Sequence, residues 1–400
     1  HTAYRRQRQM CIRDRIDYVL NIGGQSFSEK AFNNVDNLVL SLLSYVEFEG
    51  LVPSLEENRE AVCFYDAVNG RIEPDRLKKI YNIKAATQLM PLLLISRRFG
   101  RMKLNFYVSR LDEESETQFS AITFGLDDGS SFVAYRGTDG TLAGWKEDFN
   151  MAFMSPVPAQ TQSVDYLNTA AWRLRGDICV GGHSKGGNLA VYASSLCDGA
   201  VQKRLKTVYD NDGPGFQEDF FRSSGFLDIE PRLKKFVPKS SVVGMLLDHW
   251  CEYTVVDSDT FGILQHDPLS WLVEGGDFVR LDSISAGALL MDDTLNNWIN
   301  SMSDSQREAF TDALFSILKS TQIKDFMDDN GGFRATATAI LNALKGIDPE
   351  VRKVLTRTIG SLVSMAAKEF TGGGKAKMTQ MLERAKPAKA LPEPSGGKEN

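Results

Sequence analysis

The sequence predicts an α/β fold, with a mostly parallel central sheet flanked by helices and a helical C-terminal region after it. Three observations carry that prediction. Residues 177–198 read as strand, tight turn and helix: Ile178, Cys179 and Val180 run into a glycine-dense corner, and Leu189, Tyr192, Ala193 and Leu196 then recur at helical spacing. From Leu104 the apolar period changes to two, giving three successive strands over 104–110, 117–124 and 131–136. Three further short apolar runs, 205–209, 233–237 and 252–257, supply later strands.

Composition bounds the rest. The 400 residues suit one large domain, or one of about 250 residues with a smaller appendage, and 42% apolar residues with 23 Phe are ample for its core. A formal charge of −6 argues against general nucleic-acid binding. Residues 1–15 carry five Arg but no apolar run and no small-residue cleavage site, so they are not read as a secretory signal. They are set outside the fold as a non-native or disordered leader, with a basic targeting arm as the alternative. The five cysteines (11, 63, 179, 197 and 251) are scattered in apolar settings and read as reduced thiols of a cytoplasmic protein. No run reaches the roughly 18 apolar residues of a membrane span, which leaves peripheral lipid contact open.

In chain order, residues 16–275 form the sheet-bearing region, with a helical lead-in over 16–100. Asn33 or Asn34 caps a helix whose Leu38, Leu42 and Tyr45 share a face, ending near Gly50, and 75–98 continues the helical pattern with no chemistry in it. Asp127-Asp128-Gly129 is a hairpin turn between the second and third strands. Gln162–Arg175 is a helix with Val164, Leu167, Ala171 and Leu174 on one face, leading into the strand at Ile178. Over 276–370 the pattern is helical: Ser303 to Gln306 is a capping box, and Asp348-Pro349 opens a second amphipathic helix. Residues 371–400, rich in Gly, Lys, Pro and Ala, form a disordered, weakly basic tail.

The chemistry centres on Gly182-His183-Ser184-Lys185-Gly186, a G-x-S-x-G pattern. Between a strand and a helix such a turn forces the serine into a strained conformation that exposes its hydroxyl above the sheet. Gly182 and Gly186 leave room where the two backbones pass. The amide of Lys185, at the helix start, then faces a developing oxyanion. A phosphate loop needs Gly-Lys followed by Ser or Thr, whereas here the lysine follows the serine.

About 45 residues earlier, the third strand ends in Tyr135-Arg136-Gly137-Thr138-Asp139. With Gly182-His183-Ser184-Lys185-Gly186-Gly187, this block resembles the class 3 (fungal-type) lipase branch of the α/β-hydrolases, and more closely a bacterial lipase-like family of unknown function. The similarity runs from about Phe32 to Val273. It implies that Thr138 is the second oxyanion donor and that Trp145 and Asp148 brace its loop. It also implies an acid in the loop after 233–237, where this chain carries Ser240 and Ser241 instead.

In the hydrolase order of serine, acid and histidine, the base comes last. Of four histidines, His1 lies in the leader, His183 is inside the turn, His249 follows an apolar run, and His266 lies on a loop beyond the 252–257 strand. His266 is therefore the expected base. For the acid Asp212 ranks first, because its strand neighbours the nucleophile strand and Gly213-Pro214-Gly215 exposes it; Asp257 and Asp248 are the alternatives. Asp257, Asp259, His266 and Asp267 lack the two-histidine spacing of a metal site. The expected activity is a serine esterase or lipase acting on an ester or lipid-like small molecule, without a cofactor. A reading from another class is a non-catalytic protein of the same fold that binds a partner or a membrane surface, and the displaced acid is the feature that favours it.

Overall fold

The computed structural model of the protein describes residues 16–285, apart from 72, 81, 113–116, 140–150, 152–155, 248–250 and 261, together with residue 288. The leader, Trp145 and Asp148, the alternative acid Asp248, most of the 276–370 region and the 371–400 tail lie outside the described residues. The cap at Asn33 forms as a full capping box: its side chain accepts the amides of Val35 and Asp36, and Asp36 accepts the Asn33 amide in return. The helix it opens, α1 (Asn34–Leu43), is buried along nearly its whole length against the middle of the sheet. Arg98 holds its first turn by donating to both carboxylate oxygens of Asp36, at 2.8 and 2.5 Å, inside the protein.

Short helical turns aside, the elements that follow are β1 (Val62–Cys63), α2 (Ile83–Ile95), β2 (Lys103–Asp112), β3 (Thr117–Gly125) and β4 (Ser131–Tyr135). Then come α3 (Pro158–Arg173), β5 (Ile178–His183), α4 (Lys185–Leu196), β6 (Leu205–Asn211), β7 (Leu233–Pro238), β8 (Tyr253–Val256), β9 (Val273–Glu274), β10 (Asp277–Phe278) and β11 (Arg280–Leu281). Nine of these strands form one sheet in the order β1-β2-β3-β4-β5-β6-β7-β8-β11. The run β4 to β8 is parallel and both flanks are antiparallel. The parallel strands are covered on both faces, which is why β5 is buried at all six positions. Leu167, Ala170, Leu189 and Ala193 from α3 and α4 fill one side. Leu38 and Leu42 of α1 pack with Phe132, Ala134 and Tyr209 on the other. Each such Leu contributes roughly 1.5–3 kcal/mol by leaving water.

Several bounds depart from the sequence reading. The helix expected from Gln162 starts at Pro158, where proline at the first turn forfeits no hydrogen bond. The helical pattern over 75–98 splits into a 3₁₀ turn at Pro74–Leu77 and α2. The 252–257 strand is not the last: the chain doubles back through the β9–β10 hairpin and β11 pairs antiparallel with β8. The sheet therefore continues past residue 275, the expected end of this region. Two-residue strands such as β1 and β11 have too few residues to show a period, so nothing in the sequence marks them.

Candidate active site

The turn at the end of β5 has the geometry its glycines require. Ser184 sits at φ 57°, ψ −132°, a left-handed conformation costly for a residue with a side chain. Its amide donates to Asn211 O at 2.9 Å and its carbonyl accepts from Gly187 N at 2.8 Å, so the surroundings hold the strain. A Cβ on Gly182 would lie 2.3 Å from the Gly186 carbonyl, and one on Gly186 would lie 2.2 Å from Tyr135 O. No larger residue fits either position.

The structure brings Ser184, His266 and Asp212 together from three separate loops. His266 Nε2 lies 3.0 Å from Ser184 Oγ, and His266 Nδ1 lies 2.6 Å from Asp212 Oδ2. The carboxylate can only accept, so Nδ1 carries the proton and Nε2 accepts from the serine hydroxyl. Asp212 is fully buried, while Ser184 and His266 are 4% and 7% exposed, so the cluster is shielded from bulk water. His266 ends a 3₁₀ turn, Gly262–His266.

Asp212 follows β6 and is itself at φ 57°. Its amide donates to Phe236 O at 2.8 Å, and Ser241 Oγ donates to its Oδ1 at 2.5 Å. Of the two serines after β7, where the lipase resemblance places an acid, Ser241 thus supports a carboxylate that reaches the His266 imidazole from the neighbouring strand, while the Ser240 amide donates to Gln265 Oε1 at 2.7 Å. Gly244 closes the loop over it: a Cβ there would stand 2.2 Å from Asp212 Oδ1. Beneath lies a fully buried ion pair, with Lys235 Nζ donating to Asp210 Oδ2 and Gly213 O, both at 2.6 Å, and Gly213 N donating to Asp210 Oδ1 at 2.7 Å. Burial disfavours the ammonium, but Asp210 beside it holds the Lys235 pKa up. The alternative acid Asp257 stands at the end of β8, where its carboxylate accepts the Ser258 amide at 2.9 Å.

Of the expected oxyanion donors, Lys185 opens α4 directly after Ser184, and its buried side chain donates to Gln118 O at 2.9 Å. Thr138 is buried and follows Gly137, whose missing Cβ would lie 3.1 Å from Ser184 Cβ. The loop carrying Thr138 therefore packs directly on the serine. Among the described residues no group of three His, Cys, Asp or Glu is arranged to hold a metal ion.

Sequence reasoning missed Ser241, Gly244 and the Asp210–Lys235 pair. A signal existed for the pair: each interrupts an apolar strand pattern with an opposite charge on neighbouring strands. It also gave no role to His183, and it placed Tyr45 on the face of the first helix, which instead ends at Leu43. The His183 ring is fully buried and lies against His266 with ring centroids 4.6 Å apart.

A mixed sheet with a parallel centre and helices packed on both faces is an α/β fold, and its central strand β5 ends in the strained serine turn that meets Asp212 and His266. The chain belongs to the Mbeg1-like family, whose model matches residues 93–316, more than half its length. No match is found among the curated proteins. Among solved structures, the chain is similar to the native Rhizomucor miehei lipase propeptide complex, at 15% identity and a TM-score of 0.31, over 42% of this chain and 66% of that one. It is also similar to the crystal structure of M37 lipase, at 12% identity and a TM-score of 0.33, over 63% of this chain and 83% of that one.

Proposed function

We propose that the chain is a serine hydrolase that cleaves carboxylic esters through an acyl-enzyme on Ser184. His266 takes the hydroxyl proton as Oγ attacks the ester carbonyl, and Asp212 fixes the imidazole tautomer and stabilises the imidazolium. The amides of Lys185 and Thr138 face the oxyanion. His266 then gives its proton to the departing alcohol, and water, activated by the same imidazole, releases the acid. The reaction needs no cofactor, and the substrate is an ester or lipid-like small molecule.

The observation that carries this reading is the buried Ser184–His266–Asp212 chain, with contacts of 3.0 and 2.6 Å. Binding alone does not call for a carboxylate behind an imidazole behind a strained serine. The alternative of a non-catalytic protein draws on the missing acid after β7, and the contact of Asp212 with His266 supports the hydrolase reading instead. The test is labelling by a fluorophosphonate probe, comparing the wild type with Ser184→Ala and His266→Ala. Labelling of the wild type that is lost in both variants is the expected result. A folded wild type that does not label overturns the proposal. p-Nitrophenyl esters of increasing chain length then define the acyl preference.

A further inference from the structure

The base sits on a weak element. His266 is the last residue of a single 3₁₀ turn, whose hydrogen bonds are poorly aligned and whose final carbonyls have no partner within the turn. Asp212 fixes the ring at Nδ1, yet the ring is aligned with Ser184 only if the backbone that carries it is fixed as well. Two successive carbonyls of the turn are capped by side chains: Trp271 Nε1 donates to Gln265 O at 2.9 Å, and His183 Nε2 lies 2.8 Å from His266 O.

A carbonyl only accepts, so His183 carries a proton on Nε2. Its Nδ1, 3.1 Å from the Tyr45 hydroxyl, then accepts from Tyr45. Tyr45 comes from the segment just past α1, far from the site in sequence. The same hydroxyl bears on the Thr138 loop, because a Cβ on Gly137 would lie 2.2 Å from it and 2.5 Å from His183 O. One tyrosine thus touches the nucleophile turn and the oxyanion loop, and through His183 it reaches the base loop.

We propose that Tyr45 and His183 are positioning residues for the reaction: the chain Tyr45 Oη, His183 imidazole, His266 carbonyl holds the base in line with Ser184. The inference rests on the ester-hydrolase reading above. Burial, and then the neighbouring His266, hold the His183 pKa well below the usual histidine range. A neutral His183 is what the mechanism needs, since His266 becomes a cation during attack and a second cation with its ring 4.6 Å away would oppose that step.

The test uses the full chain and measures the rate of fluorophosphonate labelling in Tyr45→Phe, His183→Leu and His183→Gln, with folding checked by near-ultraviolet circular dichroism. His183→Leu is expected to slow labelling roughly 10- to 100-fold, the scale of a misplacement of about 1 Å, and Tyr45→Phe by about tenfold. His183→Gln keeps a side-chain N–H toward His266 O and is expected to recover most of the loss. In the ¹⁵N spectrum of wild-type imidazoles, His183 is expected to stay the neutral Nε2–H tautomer as the pH falls through the ordinary histidine range. Labelling of His183→Leu and Tyr45→Phe at the wild-type rate overturns the proposal, as does a glutamine variant no faster than the leucine one. If His183→Leu fails to fold, Tyr45→Phe and the spectrum decide. A wild type that does not label defeats the hydrolase reading and this inference with it, whereas a labelling wild type with unaffected variants defeats this inference alone.

Discussion

A methyl group on Gly244 would stand 2.2 Å from Oδ1 of Asp212, so the loop after β7 passes the carboxylate as bare backbone. The same methyl would also lie 2.9 Å from both Ser241 Oγ and Val237 Cγ1, which leaves an added side chain no direction of escape. Gly244→Ala is expected to displace Asp212 from His266 and slow probe labelling by roughly 10- to 100-fold while the sheet stays folded. Labelling rate and far-ultraviolet circular dichroism on the same sample check it.

Ser241→Ala removes the hydroxyl that donates to Asp212 at 2.5 Å. A hydrogen bond to a buried charge contributes about 1.5–3 kcal/mol, so the denaturation midpoint should fall accordingly and labelling should slow. A variant as stable and as reactive as the wild type contradicts this role for Ser241.

The Asp210–Lys235 pair is buried at both ends. Removing one partner leaves an uncompensated charge, and Asp210→Asn or Lys235→Met should each destabilise the protein by about 3–5 kcal/mol. The double variant should cost less than the sum of the two, because no lone charge remains. Urea denaturation of all four proteins gives the coupling directly.

His183 makes stability depend on pH. Its folded pKa lies well below its unfolded value, so below about pH 6.5 the unfolded chain binds a proton that the native protein refuses. Stability from this residue is complete above that pH and falls by about 1.4 kcal/mol per unit as the pH drops below it. The stability difference between wild type and His183→Gln, measured from pH 7 to pH 5, should show that slope.

Burial pushes the thiol of Cys179 up to about 11 and that of Cys197 to about 12. Neither should be alkylated by iodoacetamide at pH 8 until the protein is denatured. Peptide mass spectrometry before and after unfolding reads the outcome.

Much of the site was legible in the sequence because its chemistry is local. The glycines around Ser184 announce a close approach of strand and helix, and the 2.2 and 2.3 Å at which an added Cβ would meet neighbouring backbone are the physical content of that pattern. His266 followed from the order of strands and the small number of histidines, and Asp212 ranked first among three acids on its strand and its Gly-Pro-Gly context. That ranking left Asp257 and Asp248 open, since sequence distance does not report which carboxylate faces an imidazole 54 residues away from Asp212.

By itself the sequence determined the α/β class, the strand-turn-helix at Ser184, a helix cap at Asn33 or Asn34 and the core of the parallel sheet, because these depend on side-chain period and backbone freedom over a few residues. Tertiary structure alone decided that Ser241 and Gly244 frame the acid, that β11 closes the sheet edge, and that Tyr45 reaches His183 across 138 residues. Those relationships depend on the crossing of distant loops in three dimensions, where hydrogen-bond reach and van der Waals exclusion act between groups whose separation along the chain carries no information.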